Sequence, residues 1–130
     1  MTLEPLFLGL ADVVAIHNDL VQRYGGLPGI HDVGLLQSVL AMPQASFGGE
    51  WLHRDLHEIA AAYAFHISAD HTFVNGNKRT GLACALVFLE VSGTSVEDPK
   101  GLLYKVMVDL ESGALSKLGF ADVLRALPDD

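Results

Sequence analysis

His71-Thr72-Phe73-Val74-Asn75-Gly76-Asn77-Lys78-Arg79-Thr80 places a proton-transfer group, a glycine turn and two cations within ten residues. Leu82 to Leu89 follow as an unbroken apolar run. Before it, Leu56, Ile59, Ala60, Tyr63 and Ile67 form one apolar stripe at helical spacing, and Ala61, Ala62, Ala64 and Phe65 fill most of the other side. The stretch therefore reads as a reactive loop between two helices buried nearly all round. Reactive side chains carried on a short loop by a rigid scaffold are the pattern of an active site.

Outward from the loop, helix signals dominate. Val13, Ile16 and Leu20 set a helix over Ala11 to Arg23 that stops at Gly25-Gly26. Gly25-Gly26-Leu27-Pro28-Gly29 reads as a turn. Asp32 caps a short helix over Val33 to Ala41, ended by Pro43. Asp55 caps the helix before the loop, with Glu58 at the reciprocal capping position. Asn77 starts the helix after it, running to Gly93. Further helices are expected near Pro99 to Glu111 and Phe120 to Leu127, with room for a short β-hairpin between Pro43 and His53. The expectation is one compact all-α domain over residues 1–130, its core at about 8–127, with two central buried helices joined by the loop.

Composition excludes several classes. Half the residues are hydrophobic and mean hydropathy is +0.32, so the chain is globular. Net charge is −8 and pI near 5.0, which disfavours a phosphate backbone as partner and predicts no nucleic-acid binding. The one cysteine, Cys84, lies in the apolar run, so neither a disulfide framework nor a Cys-based zinc site is expected. Met1-Thr2-Leu3-Glu4-Pro5 is no signal peptide, and no apolar run approaches the roughly 20 residues that cross a bilayer. A cytoplasmic location is expected, with no membrane partner.

The residues of the loop suggest a chemistry. Neutral imidazole, here His71, is the usual general base near neutral pH. Phe73 is the apolar residue that pins the loop to the core. Gly76 allows backbone conformations closed to other residues and close approach by a ligand. Asn77 to Thr80 open a helix whose first N–H groups have no internal partner, a ready anion site. Lys78 and Arg79 stand where the helix dipole disfavours cations, which a bound polyphosphate would justify. A base beside a phosphate cradle suits transfer of a group from a nucleotide to a hydroxyl.

His71-x-Phe73-x-Asn75-Gly76-Asn77-Lys78-Arg79 resembles the signature loop of the Fic/Doc family, closest to its Doc (death on curing) toxin branch. Arg23 to Gly29, Gly34-Leu35-Leu36, and Asp55 with the Ala-rich helix resemble the same proteins, so the likeness spans roughly Leu8 to Leu127. It implies a helical Fic fold, with His71 as base, Phe73 as anchor, Gly76 and Asn77 in the nucleotide-phosphate site, and Lys78 and Arg79 as its catalytic cations; Thr80 joins that site from its place at the helix start. It implies ATP as substrate, with Mg²⁺. The family position at Asn75 is usually Asp or Glu and binds the metal; Asn is a neutral ligand that binds Mg²⁺ more weakly. AMP-transferring members typically have Gly at Lys78 and a second Arg at Leu82. The two departures imply the Doc branch, which moves the terminal phosphoryl group of ATP to a Ser/Thr hydroxyl, with elongation factor Tu as target and arrested translation as outcome. A Fic-type AMP transferase and an inactive nucleotide- or protein-binding module are the alternatives. Ser46-Phe47-Gly48-Gly49-Glu50-Trp51 is a poor match to the family's inhibitory helix, so inhibition is expected in trans, from a Phd-like antitoxin.

Other patterns carry less. His53-Arg54-Asp55-Leu56 spells the start of a protein-kinase catalytic loop, but Ala60 stands where its Asn belongs. His53 and His57, four apart, could share a metal in a hydrolase; they read more simply as partly exposed histidines at a helix start. His66 reads as a packing residue, and His17 and His31 carry no pattern. Asp70 is a weak candidate to orient His71, since adjacent residues rarely face each other.

Overall fold

Asp32, Asp55 and Ser116 each sit in extended conformation and accept, through the side chain, the N–H three residues on: Leu35, Glu58 and Gly119 respectively. This satisfies a donor that a helix start otherwise leaves open. In the computed structural model, which describes residues 4–128, the chain runs α1 (Leu10–Tyr24), α2 (Val33–Ala41), a 3₁₀ turn (Met42–Gln44), β1 (Ser46–Phe47), β2 (Glu50–Trp51), α3 (Leu56–Ala69), α4 (Asn77–Val91), α5 (Leu102–Ser112) and α6 (Lys117–Ala126). Met1 to Leu3, on which the signal-peptide reading partly rests, lie outside the described residues.

The departures from expectation have local causes. α5 starts at Leu102 and not near Pro99, because the Asp98 carboxylate accepts from the N–H groups of both Leu102 and Leu103. α6 starts at Lys117, ahead of Phe120, because Ser116 caps it. The hairpin forms, pairing Ser46 with Trp51 and Phe47 with Glu50. The Ser46–Trp51 segment is thus strand and turn, and supplies no inhibitory helix. The reciprocal half of the Asp55 cap is redirected: Glu58 Oε1 accepts from Arg54 N at 3.0 Å.

α3 and α4 form the centre. α3 buries Ile59, Ala60, Ala61, Ala62, Tyr63, Ala64 and Ile67; α4 buries Cys84, Ala85, Phe88 and Leu89. The two backbones come close at Gly81, where a Cβ would lie 2.8 Å from the Ala64 carbonyl oxygen. Glycine there lets the helix carrying the loop's far end pack directly on the helix carrying its near end. The core extends from Leu8 to Leu124. Burial pushes the Cys84 thiol pKa up, as for an inert core residue. No helix among the described residues is long and apolar enough to cross a membrane.

α6 is tied to α3 by charge. Arg125 meets Asp55 at 2.9 Å and Glu58 at 3.0 Å, which pairs the buried Glu58 carboxylate. At the other end, Lys117 Nζ lies 3.3 Å from Nε2 of both His53 and His66. An ammonium only donates, so both rings keep their proton on Nδ1. His53 is buried and not partly exposed as expected; its Nδ1 is only weakly engaged by the Pro43 carbonyl and makes no well-formed hydrogen bond. Burial, then the Lys117 charge, lowers both histidines, His66 to about 4, against an opposing pull from Asp70 on His66 and Glu58 on His53.

The sign follows from linkage. The unfolded chain takes up these protons near the ordinary histidine value of about 6.5, whereas folded His66 takes one only near 4. Acid therefore favours the unfolded state. Thermal stability is expected to fall as pH drops from 6.5 towards 4, and His66→Gln to flatten that slope. Parallel slopes for the two proteins across this window would refute the assignment.

Candidate active site

The loop from His71 to Gly76 is fastened at several points. Phe73 is buried, pairs with Ile30 in an isolated antiparallel bridge, and stacks flat on the His17 ring at 3.9 Å. His31 N donates to the Thr72 carbonyl and Val74 N to the Gly29 carbonyl. The Gly25–Gly29 segment, read as a turn, is thus also a strap across the loop. Asn77 closes the loop from within: its Oδ1 accepts from Phe73 N and its Nδ2 donates to Phe73 O, both at 2.9 Å. This is the local backbone bonding to which Asn side chains are suited.

His17 is the residue that sequence reasoning missed. It is buried on α1, and its Nε2–H donates to the Asn75 carbonyl at 2.8 Å. It lies 58 residues from Asn75 along the chain, so no local pattern signals it. A carbonyl accepts only, so Nε2 carries the proton.

His71 is exposed at the turn after α3 and has φ of +50°, the one positive φ of a non-glycine residue among those described. Such strain is held in place by surrounding structure and concentrates at functional sites. Asp70, its neighbour, is the exposed C-cap of α3, and no bond joins the two side chains.

At the loop's far end, Gly76 takes the left-handed conformation (φ +76°) as N-cap of α4 and has no side chain to cover the helix start. The hydrogen-bond ladder begins with Thr80 N donating to the Gly76 carbonyl at 2.9 Å. The N–H groups of Asn77, Lys78 and Arg79 precede it, at the positively polarised end of the helix dipole. Thr80 lies outside this cradle: its N–H is spent in the ladder and its side chain is wholly buried, with Oγ1 lacking a hydrogen-bond partner. Lys78 Nζ pairs with Glu111 on α5 at 3.3 Å. Arg79 lies over the rings of Tyr24 and Tyr104. Protein groups thus already compensate part of the misplaced positive charge.

Asn75 is exposed and tied to its neighbours. Its Oδ1 accepts from Leu27 N at 3.1 Å, its Nδ2 donates to Val74 O, and it is neutral. Among the described residues no group of three or more His, Cys, Asp or Glu could hold a metal ion. A cleft of about 330 Å³ lined in part by Trp51, His53, Asp55 and His57 includes no residue of the loop. His53 presents its Nε2 to Lys117, and Asp55 is spent as a helix cap and partner of Arg125. The shared-metal reading of His53 and His57 finds no ligand set there.

A small helical protein with a buried helix pair, a strapped histidine loop and an open helix N-terminus at its end defines a class. The chain matches the Fic/DOC family over residues 7–89. It is 36% identical over 116 residues to the protein kinase doc of Escherichia phage P1, covering 89% of this chain and 90% of that one. It is 35% identical over 107 residues to the toxin Doc of Mycolicibacterium smegmatis (strain ATCC 700084 / mc(2)155), covering 75% and 82%. The chain belongs to the Fic/DOC family.

Proposed function

We propose that this chain is a Doc-like toxin that transfers the terminal phosphoryl group of ATP to a Ser or Thr hydroxyl of a protein. The observation that carries the reading is the loop itself: exposed, strained His71 at one end and an uncapped helix N-terminus bearing Lys78 and Arg79 at the other. His71 takes the hydroxyl proton as the oxygen attacks the γ-phosphorus. The bond from that phosphorus to the β–γ bridging oxygen breaks, and ADP leaves. The N–H groups of Asn77 to Arg79 and the two side-chain cations stabilise charge on the phosphates. Mg²⁺ is expected to arrive on the nucleotide, since Asn75 is neutral and a weaker Mg²⁺ ligand than a carboxylate.

The names of the two relatives, a protein kinase and a toxin, support this reading. Leu82, at the position of a second phosphate-binding Arg in AMP-transferring members, is a partly buried apolar residue of α4. With Lys78 it favours phosphoryl over AMP transfer. Elongation factor Tu is the proposed target and the cytoplasm the proposed location. Because Ser46–Trp51 is a hairpin, a Phd-like antitoxin in trans is the proposed neutraliser.

Incubation with elongation factor Tu and ATP labelled at either the α or the γ phosphate tests the reading. Label is expected from γ only. Label from α would make the protein an AMP transferase, and binding without label from either would make it a binding module.

A further inference from the structure

Arg79 lies over two aromatic rings while, among the described residues, its N–H donors stay unpaired. Its guanidinium carbon lies 4.6 Å from the ring centre of Tyr24 and 5.5 Å from that of Tyr104. The three residues come from different elements: the end of α1, the first turn of α4 and the first turn of α5. Both tyrosines remain exposed, Tyr24 60% and Tyr104 42%, so neither is drawn here by full burial. Among the described residues the N–H donors of Arg79 have no hydrogen-bond or ion-pair partner, in contrast to Lys78, which is paired with Glu111. Leu20, Leu82 and Leu86 line the same groove, giving the cation an apolar floor that strengthens its field. A mobile arginine loses side-chain entropy when a ligand fixes it; two rings packed against it take up part of that loss beforehand, and cation–π contact consumes none of its N–H donors.

We propose that Tyr24 and Tyr104 are positioning residues: together they hold Arg79 oriented for the phosphates of a nucleotide at the α4 N-terminus. This rests on the function proposed above. Neither tyrosine need touch the nucleotide, and the rings, not the hydroxyls, do the holding.

Four variants test it: Tyr24→Leu/Tyr104→Leu, Tyr24→Phe/Tyr104→Phe, Arg79→Ala, and Arg79→Ala combined with the leucine pair. Order of the Arg79 side chain is read from ¹⁵N relaxation of its Nε–H, and ATP affinity from calorimetry. The leucine pair is expected to free Arg79 and weaken ATP binding about ten-fold, which is about 1.4 kcal/mol, the scale of two ring contacts. The phenylalanine pair should match the parent in both readouts. On the Arg79→Ala background the leucine pair should cost nothing more.

An Arg79 as mobile in the parent as in the leucine pair overturns the proposal. So does an Arg79 freed without loss of affinity, or an equal loss on the Arg79→Ala background, which would mark a merely structural role. A folded parent that binds no ATP overturns the functional reading and this proposal together, and is thereby distinguished from the other results.

Discussion

His71→Ala is expected to lower the rate of transfer by about 10²- to 10⁴-fold, the usual worth of a positioned general base, with a stability change within about 0.5 kcal/mol. The two halves of this expectation have separate causes. His71 is exposed and outside the core, so its truncation opens no cavity. Alanine also keeps the backbone penalty of a positive φ, so the strain at +50° is neither relieved nor increased to first order. The chemistry, by contrast, loses its one candidate proton acceptor on the loop, while the cradle at Asn77 to Arg79 is untouched. The measurement is transfer of label from ATP beside a thermal melt. A folded variant that still labels its target at the parent rate would remove His71 from the role of base. A variant that unfolds would make His71 a structural residue instead.

The parts of this fold legible in the sequence were those set by local rules. Asp32 and Asp55 act through a neighbour three residues away, and the apolar stripe of α3 repeats within a few turns, so both could be read without knowing the fold. Ser116 obeys the same rule, and its cap places the start of α6 three residues ahead of the apolar Phe120. Asp98 was hidden by the helix it caps: its bonds run four and five residues ahead, across Gly101. The candidate site divides in the same way. His71, Phe73 and the cradle residues are close in sequence and were found. The groups that hold them are not: His17 reaches Asn75 across 58 residues, and Lys78 reaches Glu111 across 33. The Asn77 clamp is itself local, closing on Phe73 four residues back, a bonding pattern to which Asn is suited. The cations have protein partners besides any phosphate, Glu111 for Lys78 and two tyrosine rings for Arg79.

Phe73→Ala is the change expected to cost most in stability, about 3–5 kcal/mol, a large part of the roughly 5–15 kcal/mol that a domain has in total. Phe73 is 2% exposed and among the largest fully buried side chains. Its removal leaves a cavity and strips the His17 ring of the partner stacked at 3.9 Å. Its surroundings have little room to collapse, because its own backbone is clamped by Asn77 and bridged to Ile30. The damage should be felt first in the loop. The bonds from His31 N to Thr72 O and from Val74 N to Gly29 O flank Phe73, and are expected to loosen once it is unseated. Amide exchange at His31 and Val74 should therefore rise in the variant by more than exchange at Ile67 or Phe88 in the central helices. Transfer activity should be lost along with this order, because His71 and the cradle take their relative placement from the same clamp. Urea unfolding gives the total cost, and Phe73→Leu, which keeps most of the volume, should recover more than half of it. A cost below about 1 kcal/mol for the alanine variant, within the ordinary range for single substitutions, would mean that the loop is seated by its hydrogen bonds alone and that Phe73 is not its anchor.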